Sequence, residues 1–402
     1  MKITWASNAP WAGTGYGTQT KQVVDRLVKD GHDVAIVANF GLQARPMRDP
    51  ESSVPVFPSG ADTYGNDVII PTHLMHCRGE PGWIVTLYDV WVYGPHFDTE
   101  RVASWTPVDH YPVPPKVADW ARKHPTIAMS QFGARALKEA GVERTAYAPH
   151  ALDLNVWKPT PLLPNGQTAR EAWGIPEDAF LVMINAANKG NVPPRKSWGE
   201  MLSAVAVFMR DREDAYLYLH TEMMGVYGGV DLRMLLQVLG IPPNRIRIPD
   251  QFAYLTGLIP QEALAAYYTT ADVLLATSMG EGFGIPVIEA QACGTPVIVT
   301  DFSAQPELVG AGWTVPFQPW WDFTQVSWLA LPNVAAIADR LQKAYEAKGD
   351  ATLREQAIAK AAEYEADAVF DKYWRPILAD LADQLKPTAT RQQRRAKRRK
   401  VA

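Results

Sequence analysis

The sequence is poor in cysteine and contains no long apolar run. Cys77 and Cys293 are the only cysteines in 402 residues, which excludes a disulfide scaffold and a zinc site built from several cysteines. The longest apolar stretches, such as Met201 to Met209, fall far short of the roughly 18 residues that a membrane span needs. The first eight residues lack the apolar core of a signal peptide. We therefore expect a cytoplasmic protein with no transmembrane segment.

Acidic residues outnumber basic ones through most of the chain, and basic residues are densest at its end. The formal net charge is −4, yet residues 391–400 alone contain seven Lys and Arg residues, so the rest is distinctly acidic. We predict that residues 387–402 form a disordered basic tail. The tail is either a solvated end or an arm that contacts a polyanion such as nucleic acid, anionic lipid or an acidic acceptor.

What is present is an alternation of strands and helices in two halves. Lys2–Ala6, the glycine turn 13–17, a helical pattern ending at Gly31 and Val34–Ala38 predict a strand–helix–strand unit, and therefore a parallel sheet. A proline-rich stretch at 149–167 separates this half from a second one with the same rhythm. The sequence thus predicts an α/β protein of two Rossmann-like domains whose parallel sheets face each other across a cleft.

Local patterns predict the remaining elements. Short apolar runs predict strands at Val68–Ile70, Trp83–Leu87 and Thr126–Met129 in the first half. Alanine-rich amphipathic patterns predict long helices over Asn333–Ala347 and Leu353–Leu385. The predicted bounds are 1–155 for the first domain, 156–172 for a linker and 173–365 for the second domain.

The strongest chemical signal lies between Glu281 and Glu289. Gly282 and Gly284 allow the backbone to approach a ligand, and Pro286 suits the first turn of a helix. The helix N-terminus then presents free N–H groups to an anion such as a diphosphate. Carboxylates on the same side would accept hydrogen bonds from sugar hydroxyls.

This segment resembles the E-x7-E signature of the family 4-like, retaining glycosyltransferases with the GT-B fold (the glycosyl transferases of group 1). The run from Glu289 to Asp301 and the stretch 149–153 are also similar to the family's pattern. The resemblance implies sugar transfer with retention from a nucleotide-diphosphate sugar as co-substrate, without a cofactor or an obligatory metal. It implies that Glu281 holds donor-sugar hydroxyls, that Glu289 holds the ribose, and that residues 366–386 cross back to the first domain.

The family also implies two cations that neutralise the donor diphosphate. Lys196 matches the family lysine, whereas Asn188 or Lys189 stands where the family has arginine. Arg195 is the candidate replacement, because its planar guanidinium can bind phosphate oxygens in pairs. The predicted donor-binding residues are Gly15, Gly17, Lys189, Gly282, Phe283, Gly284 and Glu289.

Further candidates lie in the first half. Asp89 stands near the position where many family members have a histidine, and we predict that it orients an acceptor hydroxyl or the donor sugar. Asp109, His110 and His150 are the candidates for acceptor contacts.

Two other kinds of site fit the first half poorly. The glycine turn fails as a dinucleotide fingerprint, since its spacing is G-x-G-x-G and no acid ends the second strand. A metal site at His73, His76 and Cys77 lacks a second cluster of ligands, and we expect no metal.

The acceptor is not identified by the sequence, and three alternatives stay open. One is a nucleotide-sugar epimerase or hydrolase with the GT-B fold. The second is a glycosyltransferase that uses the basic tail to act on a polyanion such as modified DNA. The third is a binding protein without catalytic activity, since the family's arginine and histidine are missing from their usual positions.

Overall fold

The computed structural model describes residues 1–94, 97, 101–190 and 193–386. The first half contains an eight-stranded sheet in the order β3-β4-β2-β1-β5-β6-β7-β8, parallel except for the β3–β4 pair. Its strands are β1 (Lys2–Ser7), β2 (Asp33–Ala38), β3 (Met47–Arg48), β4 (Pro55–Pro58), β5 (Gly82–Leu87), β6 (Val102–Thr106), β7 (Thr126–Ala128) and β8 (Thr145–Tyr147). Its helices are α1 (Gly15–Lys29), α2 (Ile69–Cys77), α3 (Pro115–Lys123) and α4 (Gln131–Glu139).

The second half contains a six-stranded parallel sheet in the order β11-β10-β9-β12-β13-β14. Its strands are β9 (Phe180–Asn185), β10 (Ala215–His220), β11 (Ile246–Arg247), β12 (Val273–Ala276), β13 (Val297–Thr300) and β14 (Gly312–Val315). Its helices are α5 (Ala169–Trp173), α6 (Trp198–Arg210), α7 (Leu232–Val238), α8 (Gln251–Thr256), α9 (Gln261–Thr270), α10 (Ile285–Ala292), α11 (Val334–Glu346) and α12 (Ala351–Ala362). The strands β9, β12 and β13 are almost wholly buried, as expected of a parallel sheet covered on both faces.

A β-hairpin that the sequence analysis did not predict follows the second sheet. Its strands β15 (Phe317–Asp322) and β16 (Ser327–Pro332) pair antiparallel. The hairpin extends to the first half, where Trp328 forms an isolated antiparallel bridge with Tyr111. The two halves are therefore joined by backbone hydrogen bonds at this point.

The last part of the chain also returns to the first half. The backbone of Leu152 accepts a hydrogen bond from Ala366 N at 2.9 Å and donates one to the carbonyl of Tyr364 at 2.8 Å. The short helix α13 (Ala366–Val369), one turn of wider helix over 370–374 and α14 (Arg375–Gln384) follow. The ring of Trp374 lies 5.8 Å from that of Trp5, so this segment completes the core beneath β1.

Two predicted elements are wrong. Val68–Ile70 is not a strand, because α2 begins at Ile69 and an apolar run of three residues does not distinguish a strand from the start of a buried helix. The single helix over Leu353–Leu385 is interrupted after Ala362. The side chain of Glu365 caps the next helix by accepting from Asp367 N and Ala368 N, so the chain changes direction there.

No helix among the described residues combines the length and the apolar character needed to cross a membrane.

Candidate functional site

Glu281 lies in the loop between β12 and α10 and binds two cations. Its Oε2 is 2.9 Å from Nη1 of Arg195, and its Oε1 accepts a hydrogen bond from Nζ of Lys196. Burial opposes ionisation of this carboxyl, but the two cations outweigh burial and lower its pKa to about 2. Glu281 is therefore ionised at all physiological pH values.

Arg195 and Lys196 lie just before α6, beside the carboxyl end of β9. Burial lowers the pKa of Lys196, and the charge of Glu281 opposes that effect. Burial also acts against the charged form of Arg195, but Glu281 and Asp109 raise its pKa above the ordinary value. Arg195 and Lys196 thus form a compact group with the carboxylates of Glu281 and Asp109.

Lys189 is not part of this group. Its side chain is exposed, and its backbone bridges to Tyr227 and Gly228. Its charge still lowers the pKa of Lys196, so it lies at the edge of the site.

The glycines of the 281–289 segment permit close approach of the two halves. A Cβ on Gly282 would lie 2.1 Å from Cβ of Pro107, so only glycine fits there. Gly284 has a φ of 121° and forms the N-cap of α10, a backbone conformation that side chains oppose. Phe283 is buried between the halves, with its ring 5.1 Å from that of His150.

Gly15 and Gly17 are placed differently from the prediction. They are not in a turn but in the first turn of α1, whose N-terminus is capped by Thr14 at 3.0 Å from Gly17 N. A Cβ on Gly15 would lie 2.9 Å from Cδ1 of Ile285. The start of α1 therefore packs against the start of α10 across the cleft.

Glu289 has no cation partner among the described residues and is hydrogen-bonded to tyrosine. Tyr268 donates to its Oε2 at 2.9 Å, and Asn185 Nδ2 donates to the Tyr268 hydroxyl at 2.6 Å. Burial raises the pKa of Glu289 to about 7, and the hydrogen bond from Tyr268 opposes the rise. The sequence alone did not point to Tyr268 or Asn185, because neither belongs to the acid signature.

Asp109 and His110 face the cations from the first half. Asp109 Oδ1 lies 2.6 Å from Nδ1 of His110, and its Oδ2 lies 3.7 Å from Nε of Arg195. Burial opposes ionisation of Asp109, but His110 and Arg195 hold its pKa well below the usual range. Nε2 of His110 lies 3.2 Å from Oδ2 of Asp322, a hairpin residue that the sequence analysis also missed.

Asp89 lies behind this group, directly after β5. Burial, together with the negative charge of Asp109, raises its pKa to about 6, while Arg195 and a hydrogen bond from Trp91 lower it. None of the ion pairs formed by the described residues includes Asp89. With a pKa of about 6, its carboxyl changes its protonation state near neutral pH.

His150 is separate from the charged group and lies in an aromatic layer. Its ring is 4.5 Å from that of Trp105 and 6.3 Å from that of Tyr16. Burial lowers the pKa of His150 to about 3, so the imidazole is neutral. Its Nδ1 has no hydrogen-bond partner among the described residues.

The remaining predictions concern a metal and the basic tail. Within the described ranges, no group of three or more His, Cys, Asp or Glu side chains is placed to hold a metal ion. The predicted polyanion contact at 391–400 lies outside the described residues.

Comparison with known proteins matches this site to a family. The model of the glycosyl transferases group 1 matches residues 251–364, which include Glu281 and Glu289. This segment is similar to the group 1 glycosyltransferases. The predicted family resemblance is thereby confirmed, and the predicted enzyme class is supported.

Curated relatives match part of the chain. The D-inositol 3-phosphate glycosyltransferase of Geodermatophilus obscurus is 30% identical over 159 residues, which cover 40% of this chain and 33% of the relative. That of Streptomyces avermitilis is 33% identical over 148 residues, covering 36% of this chain and 30% of the relative. The chain thus spans about a third of the length of these relatives.

Solved structures match almost the whole chain. A glycosyltransferase from Rickettsia africae has a TM-score of 0.69 at 14% identity, covering 96% of this chain and 99% of its own. Sucrose-phosphate synthase from Thermosynechococcus elongatus has a TM-score of 0.69 at 17% identity, covering 94% and 100%. Anabaena HepE in complex with UDP and glucose has a TM-score of 0.61 at 17% identity, covering 94% and 100%. The predicted GT-B fold is confirmed by these likenesses.

Proposed function

We propose that the protein is a cytoplasmic, retaining glycosyltransferase that moves a sugar from a nucleotide-diphosphate sugar to an acceptor hydroxyl without a metal or another cofactor. The observation that carries this proposal is the binding of both Arg195 and Lys196 to Glu281 beside the N-terminus of α10. Solved structures of Anabaena HepE hold UDP or UDP-glucose, which supports a nucleotide sugar as the donor.

The donor diphosphate would bind at Arg195 and Lys196. Both cations contact Glu281, and Nε of Arg195 also lies 3.7 Å from Asp109, so two carboxylates hold the two cations in place before a ligand arrives. Diphosphate oxygens would bind these cations and the free N–H groups at the start of α10. Glu281 would then accept hydrogen bonds from donor-sugar hydroxyls, and the buried carboxylate of Glu289 would accept them from the ribose.

Transfer requires stabilisation of the leaving diphosphate. The bond between the anomeric carbon and the diphosphate oxygen breaks, and its electron pair stays on the diphosphate, where Arg195 and Lys196 offset the added charge. The acceptor oxygen forms the new bond to the anomeric carbon on the face that the diphosphate leaves. Its proton passes to the diphosphate, or to Asp89, whose pKa of about 6 leaves it mostly ionised at neutral pH.

The test begins with the donor. UDP-, GDP- and ADP-sugars are screened for binding, and the best one is then incubated with candidate acceptor sugars and polyols. NMR of the product gives the configuration at the anomeric carbon, and retention is the expected result. Full activity of both Lys196→Ala and Glu281→Ala would show that the roles assigned here are wrong.

An epimerase or hydrolase of the same fold is distinguished in the same assay. A hydrolase would release free sugar at the full rate without an acceptor, and a 2-epimerase would change the sugar configuration. A pure binding protein would bind the nucleotide without turnover.

The seven Lys and Arg residues within 391–400 favour a second candidate, transfer to a polyanionic acceptor such as modified DNA. Polyanion binding through these residues would weaken steeply with salt. A chain ending at residue 386 would lose that salt-dependent affinity for DNA while it keeps its affinity for the donor nucleotide. Equal DNA affinity of both chains would contradict this candidate.

A further inference from the structure

We propose that the hairpin formed by β15 and β16 positions Arg195 in the active site, through the side chains of Asp322 and His110 and through its own backbone. The inference rests on the proposed function, in which Arg195 binds the donor diphosphate. Asp322 and the hairpin are not part of the acid signature, and they act on Arg195 without contact to substrate.

The side-chain connection runs across the cleft and back. Asp322 on the hairpin contacts Nε2 of His110 at 3.2 Å, and Nδ1 of His110 contacts Asp109 at 2.6 Å. Asp109 in turn lies 3.7 Å from Nε of Arg195. Asp322, His110, Asp109 and Arg195 thus contact one another in series. A displacement of Asp322 would therefore be passed on to the guanidinium of Arg195.

The backbone connection reaches the same residue from the other direction. Ala330 N of β16 donates to the carbonyl of Met279 at 2.8 Å, and Met279 N donates to the carbonyl of Arg195 at 2.8 Å. The Arg195 side chain also donates to the carbonyl of Gly280. The hairpin therefore contacts, through Met279, the loop that holds both the main chain and the guanidinium of Arg195.

The packing around Gly280 leaves no room for an alternative placement. A Cβ at this position would lie 2.2 Å from the carbonyl oxygen of Asp109 and 2.8 Å from Cδ2 of Leu329 on the hairpin. The hairpin is held against the first half by Tyr111, which exchanges two backbone hydrogen bonds with Trp328 at 3.1 and 3.3 Å. The docked hairpin thus packs directly against the loop whose Gly280 carbonyl accepts a hydrogen bond from Arg195.

The charge of His110 strengthens this connection. The imidazole is buried between two carboxylates that raise its pKa above the ordinary value although burial opposes the rise. The protonated ring donates at both nitrogens, as both contacts require. The titratable or charged groups that face the two ends of this connection are Tyr16, Asp89, Asp109, Arg195, Glu281 and Asp322.

The test compares Asp322→Asn with Thr324→Ala in the full chain. Thr324 lies in the same hairpin turn, and its side chain makes no hydrogen bond among the described residues, so it is the matched control. With UDP-glucose as the probe, we expect Asp322→Asn to lower kcat about tenfold with less than a threefold change in KM, as is typical of residues that orient catalytic groups. Asp322→Glu restores part of kcat, and Thr324→Ala leaves both constants unchanged.

NMR supplies a readout that needs no turnover. The Nε–H signal of Arg195, assigned with Arg195→Lys, should have the same chemical shift in the unaltered chain and in Thr324→Ala, and a different one in Asp322→Asn. The pKa of the His110 imidazole should fall in Asp322→Asn, because one carboxylate no longer stabilises the charged ring.

The outcomes separate the two proposals. Failure of the unaltered chain to bind UDP or to turn over any nucleotide sugar refutes the proposed function, while the Arg195 signal still reports the hairpin's effect. An unchanged kcat and an unchanged Arg195 signal in Asp322→Asn refute the positioning role. If Asp322→Asn does not fold, His110→Gln breaks the same connection from the first half and carries the same expectations.

Discussion

The phenol of Tyr268 donates a hydrogen bond of 2.9 Å to the buried carboxylate of Glu289, and no cation assists it among the described residues. The ionised form of Glu289 therefore depends on one neutral donor, itself held by Asn185 at 2.6 Å. This arrangement contrasts with Glu281, which has two cations on its oxygens. Although both acids belong to one signature, the pKa of Glu281 is lowered from its ordinary value and the pKa of Glu289 is raised.

Tyr268→Phe should weaken nucleotide binding in a pH-dependent manner. Loss of the hydrogen bond raises the pKa of Glu289 further above 7, so less carboxylate is available for the ribose at neutral pH. We expect the Kd for UDP to rise about tenfold at pH 7 and less at pH 9, by titration calorimetry. Tyr267→Phe is the matched control, since the neighbouring Tyr267 packs on Trp173. Equal losses at both pH values would count against this role of Tyr268.

Glu289→Gln should stabilise the fold at high pH while it weakens nucleotide binding. The folded pKa of about 7 lies above the ordinary glutamate value of 4.5, so the native protein loses stability as pH rises from about 4.5 through 7. Glutamine removes that loss, which is on the order of 3 kcal/mol at pH 8 and much smaller at pH 5. Urea unfolding at both pH values isolates the ionisation effect from any cost of burying the amide.

The matched variant Glu355→Gln changes an exposed glutamate on α12. Its effect on the free energy of unfolding should be the same at pH 5 and at pH 8. A Glu289→Gln chain whose stability relative to the unaltered chain is the same at pH 5 and pH 8 would show that Glu289 titrates normally.

Glu281→Gln should abolish transfer yet retain or strengthen binding of UDP. The substitution removes the carboxylate that Arg195 and Lys196 share, so both cations become available to the diphosphate. We expect kcat to fall at least about a hundredfold and the Kd for UDP not to rise. Lys196→Met, by contrast, should weaken UDP binding and raise the Kd for UDP at least about tenfold. Weaker UDP binding by Glu281→Gln would mean that the carboxylate itself holds the nucleotide.

Gly280→Ala should separate the two halves without unfolding either of them. The new methyl group would overlap the carbonyl oxygen of Asp109. Because this atom belongs to the backbone, no side-chain movement can relieve the clash. We expect loss of activity and a larger radius of gyration in X-ray scattering, with unchanged circular dichroism. Gly199→Ala is the control, because its Cβ meets nothing within 4 Å on α6, where alanine is favoured by up to about 1 kcal/mol.

The parts of the fold that the sequence predicted are those with a local signature. Phe180–Asn185 and Val273–Ala276 are strands as expected, because continuous apolar runs flanked by turn residues suit buried parallel strands. The hairpin was missed because Trp320 and Trp321 interrupt any regular alternation and its partners lie in the other half. The stop after Ala362 was missed because Glu363, Tyr364 and Glu365 are compatible with a helix until Leu152 pairs with the turn.

In the candidate site too, the residues with a local sequence signature were predicted and those without one were missed. Glu281, Arg195 and Lys196 were predicted to act together, and they contact one another in the structure. Asp322 and Tyr268 carry no motif, and only the folded chain brings them to His110 and Glu289. Gly15 and Gly17 looked like a turn, although a threonine cap at Thr14 could have indicated a helix start.

The position of Trp374 has a consequence for the synthesis of the chain. This residue is almost wholly buried beside Trp5 and Trp105, and Trp83 donates to the carbonyl of Leu381 at 2.8 Å. The ribosome makes the first half some two hundred residues before these partners emerge. The first sheet must wait, with an open apolar face, until Trp374 and Leu381 have been translated.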